Sequence, residues 1–465
     1  MFARRSHAIS DWDPEDVVAW EAGNKDIARR NLIWSVIAEH VGFSVWSIWS
    51  VMVLFMPASV YGFSAGDKFL LGATATLVGG CLRFPYTFAT AKFGGRNWTI
   101  FSAVVLLIPT VGTIVLLANP GLSLWPYLVC AALAGLGGGN FASSMTNINA
   151  FYPQRLKGAA LALNAGGGNL GVPMIQLIGL LVIATAGDRR PYWVCAVYLV
   201  LLAVAGIGAA LYMDNLKQYR IEMDTMRKVL AEPHTWVIST LYIGTFGSFI
   251  GFSFAFGQVL QINFIAGGQS TGQAALHAAQ IAFLGPLLGS LSRVYGGRLA
   301  DRVGGGRVTL GAFCAMILAA GILVSVSTFG DHRTGPAPTS TMIGYVVGFV
   351  ALFILSGIGN GSVYKMIPSI FEARSHSLPV SEAERRQWSR SMSGALIGFA
   401  GAVGALGGVG VNLALRQSYS SSGTATGAFW AFVGFYLAAS ALTWLIYVRR
   451  PLAAPGHSRT GLAYV

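Results

Sequence analysis

Charged residues are scarce in this chain. Aspartate, glutamate, lysine and arginine together make up 11% of its 465 residues, and its mean hydropathy is +0.60. A soluble domain carries about 25% charged residues. The few charges are grouped between apolar stretches, many of which are long enough to be transmembrane helices. The scarcity of charge therefore excludes a soluble globular protein and predicts an all-α membrane protein.

Acidic residues are scarcer than basic ones, with 18 against 31, which gives a net charge of +13. If the N-terminus is cytoplasmic, 23 of the 31 basic residues fall in cytoplasmic segments and five in the loops opposite. The positive-inside rule therefore predicts that both termini are cytoplasmic. We expect membrane lipid to neutralise much of this charge, and we expect no nucleic-acid partner. The cytoplasmic set includes Arg29, Arg30, Lys92, Arg96, Arg155, Lys157, Lys217, Arg220, Arg302, Arg307, Arg385, Arg386, Arg449 and Arg450, and the opposite set is Lys68, Arg189, Arg190, Arg333 and Arg416.

Cysteine is nearly absent. The four that occur, Cys81, Cys130, Cys195 and Cys314, lie in apolar stretches without CxxC spacing, so neither a disulfide nor a metal site is indicated. The chain also lacks an HExxH motif. That absence argues against an intramembrane enzyme, and we expect no cofactor.

Twelve apolar spans can be delimited, in two groups of six. The predicted spans are 31–56, 68–91, 98–118, 124–150, 157–184, 191–213, 235–264, 276–297, 307–328, 341–371, 390–414 and 426–448. The charged stretch 214–234 separates two predicted six-helix halves, 31–213 and 235–448. Residues 1–30 and 449–465 are predicted cytoplasmic tails. The first tail is too acidic for a signal peptide, and we expect a short interfacial helix in it.

The two halves share a local repeat. It consists of Gly79, Arg83 and a Gly94–Gly95 turn in span two, and of Gly289, Arg293 and a Gly304–Gly305 turn in span eight. In both copies the arginine follows the glycine by four positions, and the turn begins eleven positions after the arginine. Two repeated halves with a binding site at their interface are a known carrier architecture. The repeat argues against a channel, whose pore would be built from repeated subunits.

Arg83 and Arg293 are the most informative residues. Each lies about eleven residues, or roughly 16 Å of helix, from its turn, near the middle of a roughly 30 Å hydrocarbon core. An unpaired charge is costly there, and Glu39 is the only carboxylate in any predicted span. An anionic substrate can supply the partner, because a guanidinium fork suits a flat oxyanion such as nitrate or nitrite. The alternative is that the arginines snorkel or serve only the structure.

Glycine-rich stretches give a second indication. Span five contains LNAGGGNLGV, in which Gly167 and Gly168 precede Asn169, and span eleven contains a glycine run around Gly401. Glycine at such spacing lets helix backbones approach closely. We predict that the Asn169 amide donates to the anion and that the three glycines leave the anion room. Ordinary helix packing is the alternative interpretation.

Aromatic residues complete the predicted pocket. Phe141 lies in span four, and Tyr242 and Phe246 lie four residues apart in span seven, so these two share a helix face. Flat rings would suit a flat anion and exclude water. The alternative is that these rings contact lipid or the core.

Away from the span ends, three further acidic, basic or histidine residues lie in predicted spans. They are Glu39 and His40 in span one and Lys365 in span ten. Histidine titrates near neutral pH, and a buried lysine can lose its proton. All three are therefore candidates for proton coupling. The alternative for Glu39 is a position near the cytoplasmic rim, paired with a basic neighbour.

Several segments together resemble the nitrate/nitrite porter family, the NarK-type branch of the major facilitator superfamily. They are WDPEDVVAWEAGNKDIARRNL, LRFPYTFATAKFGGRNWT, NFASSMTNINAFYP, LNAGGGNLGV, LYIGTFGSFIGF, GPLLGSLSRVYGGRLADRVGGGRVT and GNGSVYKMIP. The resemblance covers most of the chain. It implies a twelve-helix secondary transporter, expected to function as a monomer, that moves nitrate and nitrite across the bacterial inner membrane. A superfamily carrier for another small anion is the alternative.

The resemblance also implies roles for individual residues. The family's substrate arginines match Arg83 and Arg293, its signature asparagine matches Asn169, and its aromatic contacts match Phe141, Tyr242 and Phe246. Relatives without further ionisable pocket residues look suited to nitrate/nitrite exchange. The set Glu39, His40 and Lys365 instead resembles the branch associated with proton–nitrate symport. The sequence supports both modes of coupling.

Overall fold

The computed structural model describes residues 7–187, 190–217, 223–331 and 338–449. Parts of three predicted segments lie outside the described residues, namely 1–6 of the N-terminal tail, 218–222 of the central loop and 450–465 of the C-terminal tail. Four arginines that the sequence places outside the spans also lie outside the described residues: Arg189, Arg220, Arg333 and Arg450.

Twelve long helices run through the described part of the chain. Eleven are long and apolar enough to cross a membrane. The other one is a 29-residue helix whose hydropathy is lowered by Asp67, Lys68, Arg83 and Lys92. The predicted architecture of twelve spans is confirmed. The helices are α1 (Val17–Phe55), α2 (Ala65–Phe93), α3 (Gly95–Ala118), α4 (Leu124–Phe151), α5 (Arg155–Ala186), α6 (Tyr192–Tyr212), α7 (Pro233–Ala266), α8 (Thr271–Val303), α9 (Gly305–Asp331), α10 (Thr339–Ser375), α11 (Glu382–Ser422) and α12 (Thr426–Val448).

Several of these helices are locally interrupted. A 3₁₀ turn at Gly135–Gly139 divides α4 into Leu124–Ala134 and Asn140–Phe151, and a π turn at Ile243–Gly247 divides α7 into Pro233–Tyr242 and Ser248–Ala266. Similarly, α5 is interrupted after Asn169 and resumes at Gly171, and α8 is interrupted after Ala282 and resumes at Leu284. Such irregular turns are frequent at functional sites. Outside the spans, short helices cover Ala58–Tyr61 and Met223–Ala231, and strands β1 (Ala8–Ile9) and β2 (Asn215–Leu216) pair in parallel.

The predicted glycine turns end α2 and α8. Gly94 has φ +87° and Gly304 has φ +96°, in the left-handed region that favours glycine. Each turn N–H donates to the carbonyl four residues earlier, Thr90 at 3.0 Å and Ala300 at 2.9 Å. The repeat found in the sequence is therefore a repeat of backbone geometry.

The N-terminal segment packs on the first half. The first part of α1, residues 17–24, begins after Asp16, whose side chain accepts from the Val18 and Ala19 N–H groups, and the helix kinks at Gly23 before it continues into the apolar part of α1. Trp20 at its end is buried against Tyr152. The expected helix is present and is joined directly to the first span.

The two six-helix groups meet closely on one side of the molecule. We call the side of the Gly94 and Gly304 turns the basic side and the other the opposite side. Three glutamine amides cross the interface toward the opposite side: Gln176 Nε2 to the Ser253 carbonyl at 2.8 Å, Gln258 Nε2 to the Ala65 carbonyl at 2.9 Å and Gln261 Nε2 to the Leu54 carbonyl at 2.9 Å. These bonds join the groups on the opposite side.

On the basic side, helix α11 faces open space. Gly394 and Gly398 share a helix face with Gly401, and neither has a neighbouring atom within 4 Å of the position a Cβ would take. Gly401 itself lies against side chains of the first group. The interface is therefore closed toward the opposite side and open toward the basic side, with Gly401 at the boundary.

Candidate functional site

Arg83 is buried in α2, where aromatic rings from α1, α4 and α7 surround it. Only 1% of the residue is exposed. Its Cζ lies 4.8 Å from the ring centroids of both Phe141 and Phe246, 5.5 Å from that of Trp46 and 5.7 Å from that of Phe43. Cation–π contacts stabilise a desolvated guanidinium by about 2 kcal/mol. The structure thus brings two of the predicted aromatic residues to the first predicted arginine.

Two of the three Arg83 nitrogens donate to backbone carbonyls. Nε donates to Gly138 of α4 at 3.1 Å, and Nη1 donates to Gly401 of α11 at 2.7 Å. The bond to Gly401 joins the first six-helix group to the second. The remaining nitrogen, Nη2, is buried and has no hydrogen-bond partner among the described residues. Because a guanidinium nitrogen can only donate, Nη2 requires an acceptor that the described chain does not provide.

Arg293 of α8 is less enclosed than Arg83. It is half-buried, and its Cζ lies 5.0 Å from the ring centroid of Tyr364 on α10. Its Nη1 is buried without a hydrogen-bond partner in the described part of the chain. No carboxylate of the described residues forms an ion pair with either arginine. Both predicted arginines therefore present an unsatisfied donor.

The Tyr242 hydroxyl adds a third unsatisfied group. Tyr242 is fully buried, and its oxygen has no partner among the described residues. Its ring stacks on Phe246 at 5.2 Å and 8°, and it lies 4.7 Å from the ring of Tyr364. The π turn of α7 begins just after Tyr242, so this irregular turn sets the spacing of the two stacked rings. The predicted shared face of Tyr242 and Phe246 is confirmed.

Gly401 lies where the side chains from both groups converge. A Cβ at this position would be 3.1 Å from the Tyr364 hydroxyl and 3.6 Å from both Arg83 Nη1 and Phe141 Cε1. The distance of 3.1 Å is shorter than most contacts of a Cβ with another heavy atom, whereas 3.6 Å is an ordinary contact. The absence of a side chain at Gly401 therefore preserves the space between Arg83 and Tyr364.

The glycines of α5 have a different environment. A Cβ at Gly167 would meet Val36, and one at Gly168 would meet the Glu39 carboxyl. Both glycines therefore let α5 pack against α1. Asn169 is buried, and its Oδ1 has no partner in the described residues. Of the predicted α5 residues, Asn169 is the one with an unused polar atom.

Glu39 and His40 lie at the packing contact between α1 and α5. Glu39 is 1% exposed. Its Oε2 accepts a hydrogen bond from the Ser144 hydroxyl and another from Asn164 Nδ2 at 2.7 Å. The ring of His40 is within 3.0 Å of the Gly167 carbonyl. The alternative position of Glu39, at the rim with a basic partner, is wrong, because its partners are neutral and its site is buried.

Lys365 is outside the aromatic pocket. Its ammonium forms an ion pair with Asp301 at 2.8 Å, and 49% of its side chain is exposed. Asp301 belongs to the GGRLADRVGGGR segment at the end of α8. The two residues form a contact between α8 and α10 on the basic side.

Sequence reasoning missed four groups that surround the arginines. They are Phe43, Trp46, Tyr364 and the Gly138 carbonyl. The rings could have been suspected from their proximity in sequence to Glu39 and Lys365, but the backbone carbonyl has no sequence signal. No group of three His, Cys, Asp or Glu residues in the described ranges could hold a metal ion.

A family model described as Major Facilitator Superfamily matches residues 40–410. Nitrate/nitrite transporter NarU of Salmonella typhimurium is 36% identical, and the alignment covers 96% of this chain and 97% of that protein. NarU of Escherichia coli is 34% identical with the same coverage. The probable nitrate/nitrite antiporter NarK2 of Thermus thermophilus is 31% identical over 96% of this chain and 98% of that protein.

Solved structures with the same architecture include two transporters. A D-xylose-proton symporter aligns with TM-score 0.63 at 12% identity, over 90% of this chain and 97% of that one. The nucleoside transporter NupG aligns with TM-score 0.61 at 14% identity, over 89% and 98%. At such low identity, these two likenesses concern the fold alone.

Proposed function

Since this chain belongs to the nitrate/nitrite transporter branch of the Major Facilitator Superfamily, we propose that it carries nitrate and nitrite and binds them between Arg83 and Arg293. It is a multi-pass inner-membrane transporter and not an enzyme. The relatives named nitrate/nitrite transporters support the choice of substrate.

The observation that carries this proposal is the pair of guanidinium groups with unsatisfied donors. Arg83 Nη2 and Arg293 Nη1 are buried without partners among the described residues. Leaving a buried charge unpaired costs about 3–5 kcal/mol. A bound anion supplies both the missing charge and the missing acceptors. Nitrate and nitrite are flat and can accept paired hydrogen bonds from a guanidinium fork.

The other pocket residues fit a small flat anion. The Tyr242 hydroxyl is a further free donor, and the rings of Phe141 and Phe246 each lie 4.8 Å from the Arg83 guanidinium. Gly401 keeps the space next to Arg83 open. The unpartnered atom of Asn169 is the acceptor Oδ1, so donation from its amide nitrogen to the anion is proposed from the sequence and not from this contact. Gly167 and Gly168 contribute by bringing α5 close to α1. The aromatic rings exclude water, which strengthens the charge interaction.

We propose that the basic side is cytoplasmic, with both termini there, and that the protein works as a monomer. The structure is then inward-facing, because the interface is closed toward the opposite side. Arg83 and Arg293 repel each other without an anion. A bound anion screens that repulsion and lets α8 approach α2, so that the basic side closes and the opposite side opens.

Two modes of coupling fit this cycle. Exchange of nitrate for nitrite moves no net charge and is indifferent to voltage. Net uptake of an anion into a negative interior is opposed by about 2.3 kcal/mol per 100 mV, and therefore needs a cotransported cation. Glu39, His40 and Lys365 are the residues proposed for proton coupling. The structural environments of these three residues differ.

Counterflow in proteoliposomes tests the proposal. Vesicles loaded with nitrite are expected to accumulate labelled nitrate transiently, and external chlorate is expected to compete, whereas sugars and organic anions are not. Protein-free vesicles are the control. Equal inhibition by an unrelated organic anion would indicate a carrier for another small anion, and a non-saturable flux without counterflow would indicate a channel.

A further inference from the structure

Glu39 is a buried carboxyl group among neutral partners. Its Oε2 accepts from Ser144 and Asn164, while its Oε1 is buried without a partner. No ion pair of the described residues involves this carboxyl group. An ionised carboxylate in such a site is costly, whereas the neutral acid is much less so. The environment of Glu39 therefore favours a carboxyl group that holds a proton.

The charged and titratable groups around Glu39 are few. His40 follows it on α1, with its ring at the Gly167 carbonyl. Arg83 of α2 and Arg293 of α8 are the positive charges whose fields reach Glu39. From α4 and α5 the described contacts are Ser144, Asn164 and Gly168. The fields of the two arginines favour the ionised form and oppose the effect of burial.

We infer that the Glu39 carboxyl group is the proton-binding site of the transport cycle, so that one proton crosses with each anion. This inference rests on the proposed function. The proton binds the carboxylate on one side of the membrane and leaves it on the other, and no other bond is made or broken. One anion and one proton carry no net charge, so the membrane voltage does not oppose their joint entry.

The Glu39 cluster adjoins the anion pocket through two helices. Each helix supplies one residue to the cluster and one to the pocket within about a helical turn: α1 supplies Glu39 and Phe43, and α4 supplies Ser144 and Phe141. A shift of these helices therefore affects both sites. This arrangement provides a physical link between proton and anion.

Charge gives the sign of the coupling. An ionised Glu39 repels an anion held by Arg83 and partly cancels the field that attracts it. A protonated Glu39 does neither, so proton binding strengthens anion binding. By reciprocity, a bound anion strengthens proton binding by the same factor. Screening of the arginine charges by the anion is the physical cause of this second effect.

The other two candidates are held differently. Lys365 is half-exposed and already paired with Asp301, so the loss of its proton would break an ion pair outside the pocket. The His40 ring is engaged with the Gly167 carbonyl at 3.0 Å. Neither residue combines burial with an unused polar atom, and Glu39 does.

Glu39→Gln tests the inference, because glutamine resembles the neutral acid and cannot release a proton. In vesicles with an internal pH dye, nitrate entry through the natural protein is expected to acidify the lumen. The Glu39→Gln protein is expected to retain nitrate/nitrite counterflow and to lose both lumen acidification and uptake driven by a pH gradient. Lys365→Gln, which removes a half-exposed candidate outside the pocket, is the matched control and should retain all three activities.

The outcomes separate the inference from the proposed function. Acidification by Glu39→Gln, or a natural protein that shows counterflow without proton movement, would overturn the inference alone. Absence of nitrate counterflow in the natural protein would overturn the proposed function. Loss of acidification with Lys365→Gln instead would assign the proton to Lys365.

A binding measurement covers the case in which Glu39→Gln does not transport. For the purified natural protein, the nitrate Kd is expected to rise by up to about tenfold per pH unit once Glu39 ionises, because only the protonated fraction binds well. The nitrate Kd of Glu39→Gln should be independent of pH over the same range. A pH dependence that persists in the variant would overturn the inference.

Discussion

The two arginines of the internal repeat occupy matching positions in sequence but differ in their surroundings. Arg83 is enclosed by four rings and bonded to two backbone carbonyls, one of them in the other half. Arg293 is half-buried, and in the described part of the chain its ring contact is with Tyr364. Both retain one unsatisfied nitrogen. The two arginines therefore share a sequence motif but differ in how firmly the surrounding protein holds them.

This difference indicates which arginine moves. Arg83 is held by its bonds to the Gly138 and Gly401 carbonyls and by four rings, so it is fixed in this state. Arg293 has few contacts in this state and can move with α8 toward a bound anion. In this interpretation, the anion binds first to a rigid donor and then recruits a mobile one. Substitution of each arginine by lysine tests the two roles separately.

Arg83→Lys is expected to have the largest effect. Lysine keeps the charge but cannot donate to Gly138, Gly401 and an anion in the same geometry. Nitrate affinity should fall at least about a hundredfold, the equivalent of ~3 kcal/mol for a disrupted buried charge network. The melting temperature without nitrate should fall as well. Calorimetric titration and thermal unfolding of the purified variant measure both effects, and natural affinity would show that Arg83 is only structural.

Arg293→Lys should weaken nitrate binding less, by about tenfold, on the scale of one hydrogen bond to a charged group. Because Arg293 makes no hydrogen bond to the described protein through Nη1, the melting temperature without nitrate should stay unchanged. The stabilisation by added nitrate should shrink. A loss of stability equal to that of Arg83→Lys would contradict the proposed difference between the two residues.

Gly401→Ala tests whether the boundary between the closed and open sides is sterically limited. The added Cβ would lie 3.1 Å from the Tyr364 hydroxyl, and overpacking of this kind costs about 1–3 kcal/mol. We expect nitrate affinity to fall by about tenfold. Gly410→Ala, on the same helix with open space at its Cβ position, is the matched control. Equal effects of the two variants would show that helix α11 tolerates no alanine, irrespective of the pocket.

Much of the fold followed from the sequence because membrane helices are defined by local composition. The span ends, the glycine turns and the repeated arginines depend on residues close together in the chain. Hydropathy alone recovers eleven of the helices. The helix α2 was recognised because apolar residues surround its polar ones, although Arg83 and its charged ends lower its average.

The site was less predictable because its decisive contacts are distant in sequence. The bond from Arg83 to Gly401 joins residues 318 positions apart, and a carbonyl acceptor leaves no trace in residue type. Tyr364 is uncharged, so the charge criterion that identifies its neighbour Lys365 does not identify it. Glu39 was found from its charge, but its neutral partners Ser144 and Asn164 became apparent only from the packing of α4 and α5.

The smallest effect is expected at the glutamine contacts that close the opposite side. Gln261→Ala removes one neutral hydrogen bond across the halves, which stabilises the state closed on the opposite side by about 1 kcal/mol. The population of the state open on that side should therefore rise about fivefold. Spin labels at Ser59 and Ser421, on either half in a cysteine-free background, report the opening as a longer distance. Asn263→Ala is the control, since Asn263 donates within its own helix to Val259 at 2.8 Å. An unchanged distance distribution in both variants would show that the Gln261 bond does not hold the interface closed. The rigidity of Arg83 would then have to come from its own contacts and not from the closed interface around it.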